Sequence, residues 1–287
     1  MKKPQLIIAA VGIVLTLAVY FLANTKPPRK IAEQETHSAD DGHDHGPTAE
    51  LTTDSILTLA KKQLNTEQLN YVISLENSIS RGDVQKQQLK VFHSLSHFWG
   101  DSMGIFPAYA WYEAEAARLE NSEKSLTFAA RLFFEFLQQE QNADLRKWEG
   151  LQAKDLYQRS LMINPDNDSA RVEMGALYLF GNISAAPMEG IAEIRKVLDK
   201  DSTNTYALMM MAKGSLISGQ TEKGIERLKA VHKYEPQNVE ATLMLADLYE
   251  RQKNSKEAIH WYSESLKHIN RADIKEDIQK RIESLSK

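Results

Sequence analysis

Residues 164–182 read NPDNDSARVEMGALYLFGN, residues 201–220 read DSTNTYALMMMAKGSLISGQ, and residues 235–254 read EPQNVEATLMLADLYERQKN. Each opens in a turn containing Asn, runs into a stretch rich in Ala, Leu and Met, and closes in a polar breaker. That order predicts one helix per stretch. A second set interleaves with the first: PMEGIAEIRKVLDKD at 187–201, TEKGIERLKAVHKYEP at 221–236 and SKEAIHWYSESLKHIN at 255–270. Gly190, Gly224 and Ala258 are spaced 34 and 34, as are Ile194, Leu228 and Tyr262, and Val197, Val231 and Ser265. Gly175, Ala212 and Ala246 are spaced 37 and 34. The three extra residues fall between Gly181 and Pro187, where lengthening a turn costs little. Two helices per period cannot bury their apolar faces alone, so copies must stack. The predicted fold class is all-α, a solenoid of antiparallel helix pairs.

This period and pattern resemble the tetratricopeptide-repeat (TPR) family over about Asp168 to Asn270. The family places small residues where its two helices cross, here Gly175/Gly190, Ala212/Gly224 and Ala246/Ala258. Helix backbones approach to about 8 Å only where such residues meet. Its bulky first-helix position is matched by Tyr178 and Tyr249, whereas Ser215 departs from it. Its second-helix position is matched by Ile194, Leu228 and Tyr262, and its turn proline by Pro165 and Pro236, with Ser202 and Asn270 as departures. Arg171, Leu208 and Thr242 stand where the family carries an early aromatic.

Upstream the pattern loosens. Ala153, Tyr157, Ser160 and Pro165 suit the second helix of a preceding repeat. Its first helix is expected over Ser125–Glu140, with an insertion near Asn142–Trp148. Pro107–Leu119 and Asp83–Trp99 read as another helix pair, and Leu51–Asn77 as one or two helices, one starting near Asn65. The expected organisation is a degenerate helical part at 51–124 and a repeat array at 125–270, with its best copies at 168–204, 205–238 and 239–270. Residues 271–287 carry the stripe Ile274, Ile278, Ile282 and Leu285, which suits a helix closing the apolar end of the stack.

The amino terminus has a different composition. Leu6–Ala23 carries no charge, and at ~1.5 Å per residue it covers ~27 Å, about a bilayer core. Residues 1–23 are therefore expected to form a transmembrane signal anchor. Cleavage after Ala23 competes, but Phe21 occupies a position that should be small. Lysines and arginines flank the run almost equally, and trailing domains translocate largely regardless of charge. The expectation is a single-pass protein with its body outside the cytoplasm. Residues 24–50 are rich in Pro, Gly, Asp, Glu and His, too polar to fold alone, and read as a tether spanning roughly 30 Å. His37, His43, Asp44 and His45 are its candidate metal ligands, beside His37's neighbours Asp40 and Asp41. A solvated spacer is the competing reading, since no groups that would fix such ligands are visible.

Segments LSHFW, LENSEKSLTFAARLF, NPDNDSARVEMGALY and PMEGI further resemble membrane-anchored TPR proteins of Bacteroidetes. Those have no assigned activity, so the resemblance bears on architecture. With the anchor read above, the expectation is a bacterial inner membrane with a periplasmic repeat domain.

The chain has no Cys, which excludes disulfides and thiol chemistry, and a net charge of −4, which offers no field for nucleic acid. No phosphate-binding Gly loop, nucleophile elbow or dinucleotide fingerprint is present. The expectation is no enzyme and no cofactor. His93 and His97 have metal-ligand spacing but no third partner. Phe98, Trp99, Phe106, Tyr109, Trp111 and Tyr112 read as an interhelix core rather than a ligand pocket. The resemblance instead implies recognition of a protein or peptide in a concave groove lined by first helices. Helical geometry places Tyr206, Met209, Lys213, Leu243, Asp247 and Glu250 there as its most exposed members. Val172, Leu179, Phe180, Leu216 and Ile217 share that side, where neighbouring repeats can also bury them. The expected role is a membrane-tethered scaffold or adaptor for envelope assembly or secretion, with ion handling by the tether as the alternative.

Overall fold

Asparagine starts the helices of this protein. The Asn167, Asn204 and Asn238 carboxamides each accept the amide of the residue three further on, Ala170, Ala207 and Ala241, at 2.9 Å. An N-cap of this kind satisfies one of the free amides of the first turn. In the same step it places a fully buried Ala one turn into the helix. The turn Asn found in each repeat is therefore the residue that sets the helix start.

The computed structural model describes residues 51–79, 85–181, 183 and 187–287. The described residues belong to one unit. The apolar run and the whole tether, and with it His37, His43, Asp44 and His45, lie outside the described residues. Among the described residues no helix is long and apolar enough to cross a membrane.

Thirteen α-helices and no strand occur among the described residues: α1 (Thr53–Lys61), α2 (Thr66–Ile79), α3 (Gln85–His97), α4 (Phe106–Glu120), α5 (Glu123–Leu137), α6 (Ala143–Ile163), α7 (Asp168–Phe180), α8 (Met188–Lys200), α9 (Thr205–Ile217), α10 (Thr221–Tyr234), α11 (Val239–Arg251), α12 (Ser255–Leu266) and α13 (Ala272–Leu285). One π-helical turn, Phe98–Ser102, extends α3. The pairs α3/α4, α5/α6, α7/α8, α9/α10 and α11/α12 pack most extensively, and each pair stacks on the next. This is the expected all-helical solenoid.

The register seen in the sequence is the packing register. Ile194, Leu228 and Tyr262, like Val197, Val231 and Ser265, are buried at equivalent depths. Gly175 and Gly190 face each other so closely that a Cβ on Gly175 would lie 2.7 Å from the Gly190 carbonyl oxygen. The turns between paired helices also repeat. The left-handed position falls on Gly219 (φ 73°) in one repeat and on Lys253 (φ 59°) in the next, 34 residues later. Only glycine takes that conformation without a steric cost.

The insertion expected near Asn142–Trp148 takes the form of helix. Asn142 caps Asp144 and Leu145, and α6 runs for 21 residues through this stretch. The helix continues because Trp148 has packing to gain. Its ring lies edge-on to Phe133 at 5.5 Å, and its Nε1 donates to Thr53 Oγ1 at 3.1 Å.

The interior has two clusters that meet at α4. Ala110, Ala114 and Ala117 face the main core, whereas Ala108 and Tyr112 face a smaller core with Val72, Leu95 and Trp99. At the far end Ile278 of α13 is buried, with Ile274, Ile282 and Leu285 packed beside it.

Candidate functional site

Successive first helices α5, α7 and α9 lie against one another, α11 is tied to α9 by an ion pair, and most residues expected to await a ligand there are engaged within the chain. Tyr206 donates to Glu173 Oε1 at 3.0 Å, and Lys213 pairs with Glu240 at 2.7 Å. The Tyr262 hydroxyl lies 2.6 Å from Asp247 and 3.0 Å from Glu250. Glu250 also accepts from Arg281 Nε of α13 at 2.9 Å. Leu243 is half-buried against the core. Met209, expected on the open surface, is a correction: it is 4% exposed, because α9 packs directly on α7 and encloses it. Of these six, Asp247 alone is exposed. Val172 is buried, Leu179, Phe180 and Leu216 are half-buried, and Ile217 is exposed.

The centre of this face is a carboxylate clamp. Glu173, 4% exposed, accepts from Arg131 Nε and Nη2 at 3.0 and 3.2 Å, from Tyr157 at 2.7 Å and from Tyr206. Burial first, then the Glu173 charge, pushes both phenols up from their ordinary range. A carboxylate buried in its charged form is tolerated only when so fully satisfied. The clamp joins α5, α6, α7 and α9, which suits structure better than ligand capture.

The neighbouring interval is different. α3 and α5, like α9 and α11, make little helix-to-helix contact, but here aromatic rings and carboxylates face the gap. A cleft of about 580 Å³ opens between them, within the size range of ligand sites. Its floor is the start of α4, with Phe106, Tyr109 and Glu113. One wall is His97 with Gly100 and Asp101 of the π turn, and the other is Phe128 and Phe136 of α5. Gly100 matters here: a Cβ would come within 2.9 Å of the Tyr109 ring, so the ring lies against bare backbone. Phe136 stacks on Phe106 at 3.2 Å and 10°. Phe128 and Phe136 are nonetheless 51% and 44% exposed, unusual for two phenylalanines on one wall.

The electrostatics have one sign. Among the described residues no Lys or Arg lines the cleft. Glu113 accepts from Ser96 at 2.5 Å and lies 3.9 Å from His93, while Asp101 lies 2.9 Å from His97 Nδ1. Burial, reinforced by the Glu113 and Asp101 charges, raises the Tyr109 phenol. Such a cleft can receive a cation over aromatic faces beside carboxylates.

The aromatic run expected to be core is therefore divided. Trp99 and Tyr112 are core, whereas Phe106 and Tyr109 face the cleft. Phe128 and Phe136 were missed, because their spacing of eight reads as an ordinary apolar stripe. His93 and His97 turn to different carboxylates and do not converge. Among the described residues no group of three or more His, Asp or Glu side chains is placed to hold a metal.

Residues 215–274 match the family described as Tetratricopeptide repeat. No curated protein matches the sequence. Among solved structures, a tetratricopeptide repeat protein from Parabacteroides merdae is similar at 14% identity, with 81% of this chain and 84% of that one covered and a TM-score of 0.50. MamA from Desulfovibrio magneticus is 18% identical over 65% of this chain and 96% of its own, with a TM-score of 0.44. At 14% identity the likeness to the Parabacteroides merdae protein is one of fold.

Proposed function

Since this chain is a tetratricopeptide-repeat protein, we propose that it is a non-catalytic scaffold whose α3/α5 cleft captures a partner peptide carrying a Lys or Arg next to an apolar side chain. The observation that supports this is the cleft itself: exposed Phe128 and Phe136 opposite Asp101 and Glu113, with no basic residue lining it among the described residues. A cationic side chain meets the carboxylates and ring faces, and its apolar neighbour covers the phenylalanines. The test is fluorescence-anisotropy binding of peptide libraries with a fixed Arg-Leu or Glu-Leu pair to the full chain. Arg-Leu pools should bind, with affinity reduced about tenfold in Phe128→Ala and in Asp101→Asn. Equal binding of the two pools, or undiminished binding by both variants, overturns the assignment.

The same proposal holds the scaffold at a bacterial inner membrane through Leu6–Ala23, with the helices outside the cytoplasm, as an adaptor in envelope assembly or secretion. The uncharged run and the polar tether behind it support this. Protease added to intact spheroplasts should cut within residues 24–50 and release a soluble fragment. Protection until lysis overturns that orientation. Deleting His37–His45 should leave peptide capture intact, whereas loss of function with capture retained would favour ion handling by the tether.

A further inference from the structure

The middle repeat departs from its two neighbours at the bulky first-helix position, and the difference leaves a second cleft. The bulky first-helix position holds Tyr178, Ser215 and Tyr249, spaced 37 and 34 in the repeat register. In the outer two, a lysine from the preceding second helix covers the ring. Lys154 Nζ lies 5.0 Å from the Tyr178 centroid and Lys229 Nζ 5.4 Å from that of Tyr249. The residue 34 before Lys229 is Arg195 on α8. With Ser at 215 it has no ring to cover, and among the described residues it has no ion-pair or hydrogen-bond partner. Where the phenol would lie, a cleft of about 190 Å³ remains between α8, α9 and α10.

Its lining is specific. Leu179, Ile191 and Met211 supply an apolar wall. Arg195, Lys223 and Arg227 surround it, and among the described residues no Asp or Glu lines it. Arg227 donates to the Ser215 hydroxyl, and Lys223 reaches only the Gln220 carboxamide, at 2.8 Å. Three cations therefore meet around an apolar hole without a counter-charge, in a chain whose acids outnumber its bases by 39 to 35. The hole is smaller than a whole-ligand pocket and suits one side chain or one ring.

We propose that this cleft is an anion site for a carboxylate carried on a single aromatic or branched apolar group, which restores the missing ring and neutralises Arg195, Lys223 and Arg227. The site is separate from the α3/α5 cleft and does not depend on what that cleft binds. Two sources share this chemistry: a free aryl carboxylate, and the carboxy-terminal residue of a peptide. Guanidinium groups bind carboxylates by paired hydrogen bonds, and an apolar body beside the charge adds contact area.

The test is methyl NMR of the full chain in detergent micelles with labelled methionine, since Met188 and Met211 line the cleft. The probes are phenylacetate and acetyl-Ala-Ala-Phe, each compared with its amide. Saturable shifts of the Met188 and Met211 methyls are expected with the acids and not with the amides. Arg195→Gln and Arg227→Gln should each weaken the acids at least tenfold. Ser215→Tyr, which installs the residue of the sibling repeats, should abolish binding with helicity intact. Tighter binding of the peptide acid than of phenylacetate assigns the site to chain termini, and the reverse order to free acids. No saturable shift with either acid at millimolar concentration overturns the proposal, as do equal responses to acid and amide, or retained binding in a folded Ser215→Tyr protein.

Discussion

Gly190 and Gly224 occupy the same register position, yet alanine should have opposite effects at the two. A Cβ on Gly190 would overlap the Gly175 carbonyl oxygen and lie 2.7 Å from the Tyr178 Cβ. Those atoms belong to the backbone of α7 or sit one bond from it, so they yield only if α7 and α8 separate. Overpacking costs about 1–3 kcal/mol, and an overlap with backbone takes the upper part of that range, about 2–3 kcal/mol. At Gly224 the new methyl would meet the Leu216 Cδ2 at 2.5 Å, while the Ala212 carbonyl stays at 3.6 Å. Leu216 is half-buried, and its tip can rotate away. Both substitutions gain about 1 kcal/mol of helix propensity. Gly190→Ala should therefore lose about 1–2 kcal/mol and Gly224→Ala should gain up to about 1 kcal/mol. At about 2–4 °C per kcal/mol for a domain of this size, their melting temperatures should differ by several degrees. Repeat arrays can unfold in parts, so urea denaturation followed by far-UV circular dichroism should accompany the thermal scans. If Gly190→Ala is as stable as wild type, α7 and α8 are not in backbone contact. If Gly224→Ala falls equally far, the mobility of the Leu216 tip does not decide the outcome.

Glu149 is 1% exposed with Oε2 unpaired; burial, then the Glu140 charge, pushes its carboxyl up to about 8, with Arg146 opposing. A raised carboxyl keeps its proton in the folded chain, so its stabilisation is lost as pH climbs from about 4.5 to 8, by at most about 1.4 kcal/mol per unit. Urea midpoints across that window should slope downward less in Glu149→Gln, and parallel slopes would refute it. Arg131→Met strips the cation from Glu173 while leaving two phenols on it, which should cost about 2 kcal/mol, less than a fully buried pair because Arg131 is partly exposed. Adding Glu173→Leu should recover most of that loss in the same urea assay; no recovery would mean the clamp is not the cause. Glu250→Lys places a second cation beside Arg281 and should speed amide hydrogen exchange across residues 272–285 while sparing α7–α10. Unchanged exchange in α13 would show that the ion pair does not hold it.

The repeat period was legible because it is a packing constraint written at fixed spacing. Gly175/Gly190 and Ala246/Ala258 must be small, Ile194 and Leu228 must be apolar, and Asn167, Asn204 and Asn238 must cap, whatever lies elsewhere. Local rules of this kind settled the helix pairs, the stack and the closing stripe of α13. The sites were not legible in the same way. Whether Tyr206, Lys213 or Glu250 faces solvent depends on what the next helix brings up to it, and Glu173, Glu240 and Arg281 come from 33, 27 and 31 residues away. The α3/α5 cleft depends on two helices failing to pack, which no single segment encodes. The Ser215 departure was visible in the sequence, but its meaning was not. Only the packed chain shows that Arg195, Lys223 and Arg227 converge on the space the ring vacates.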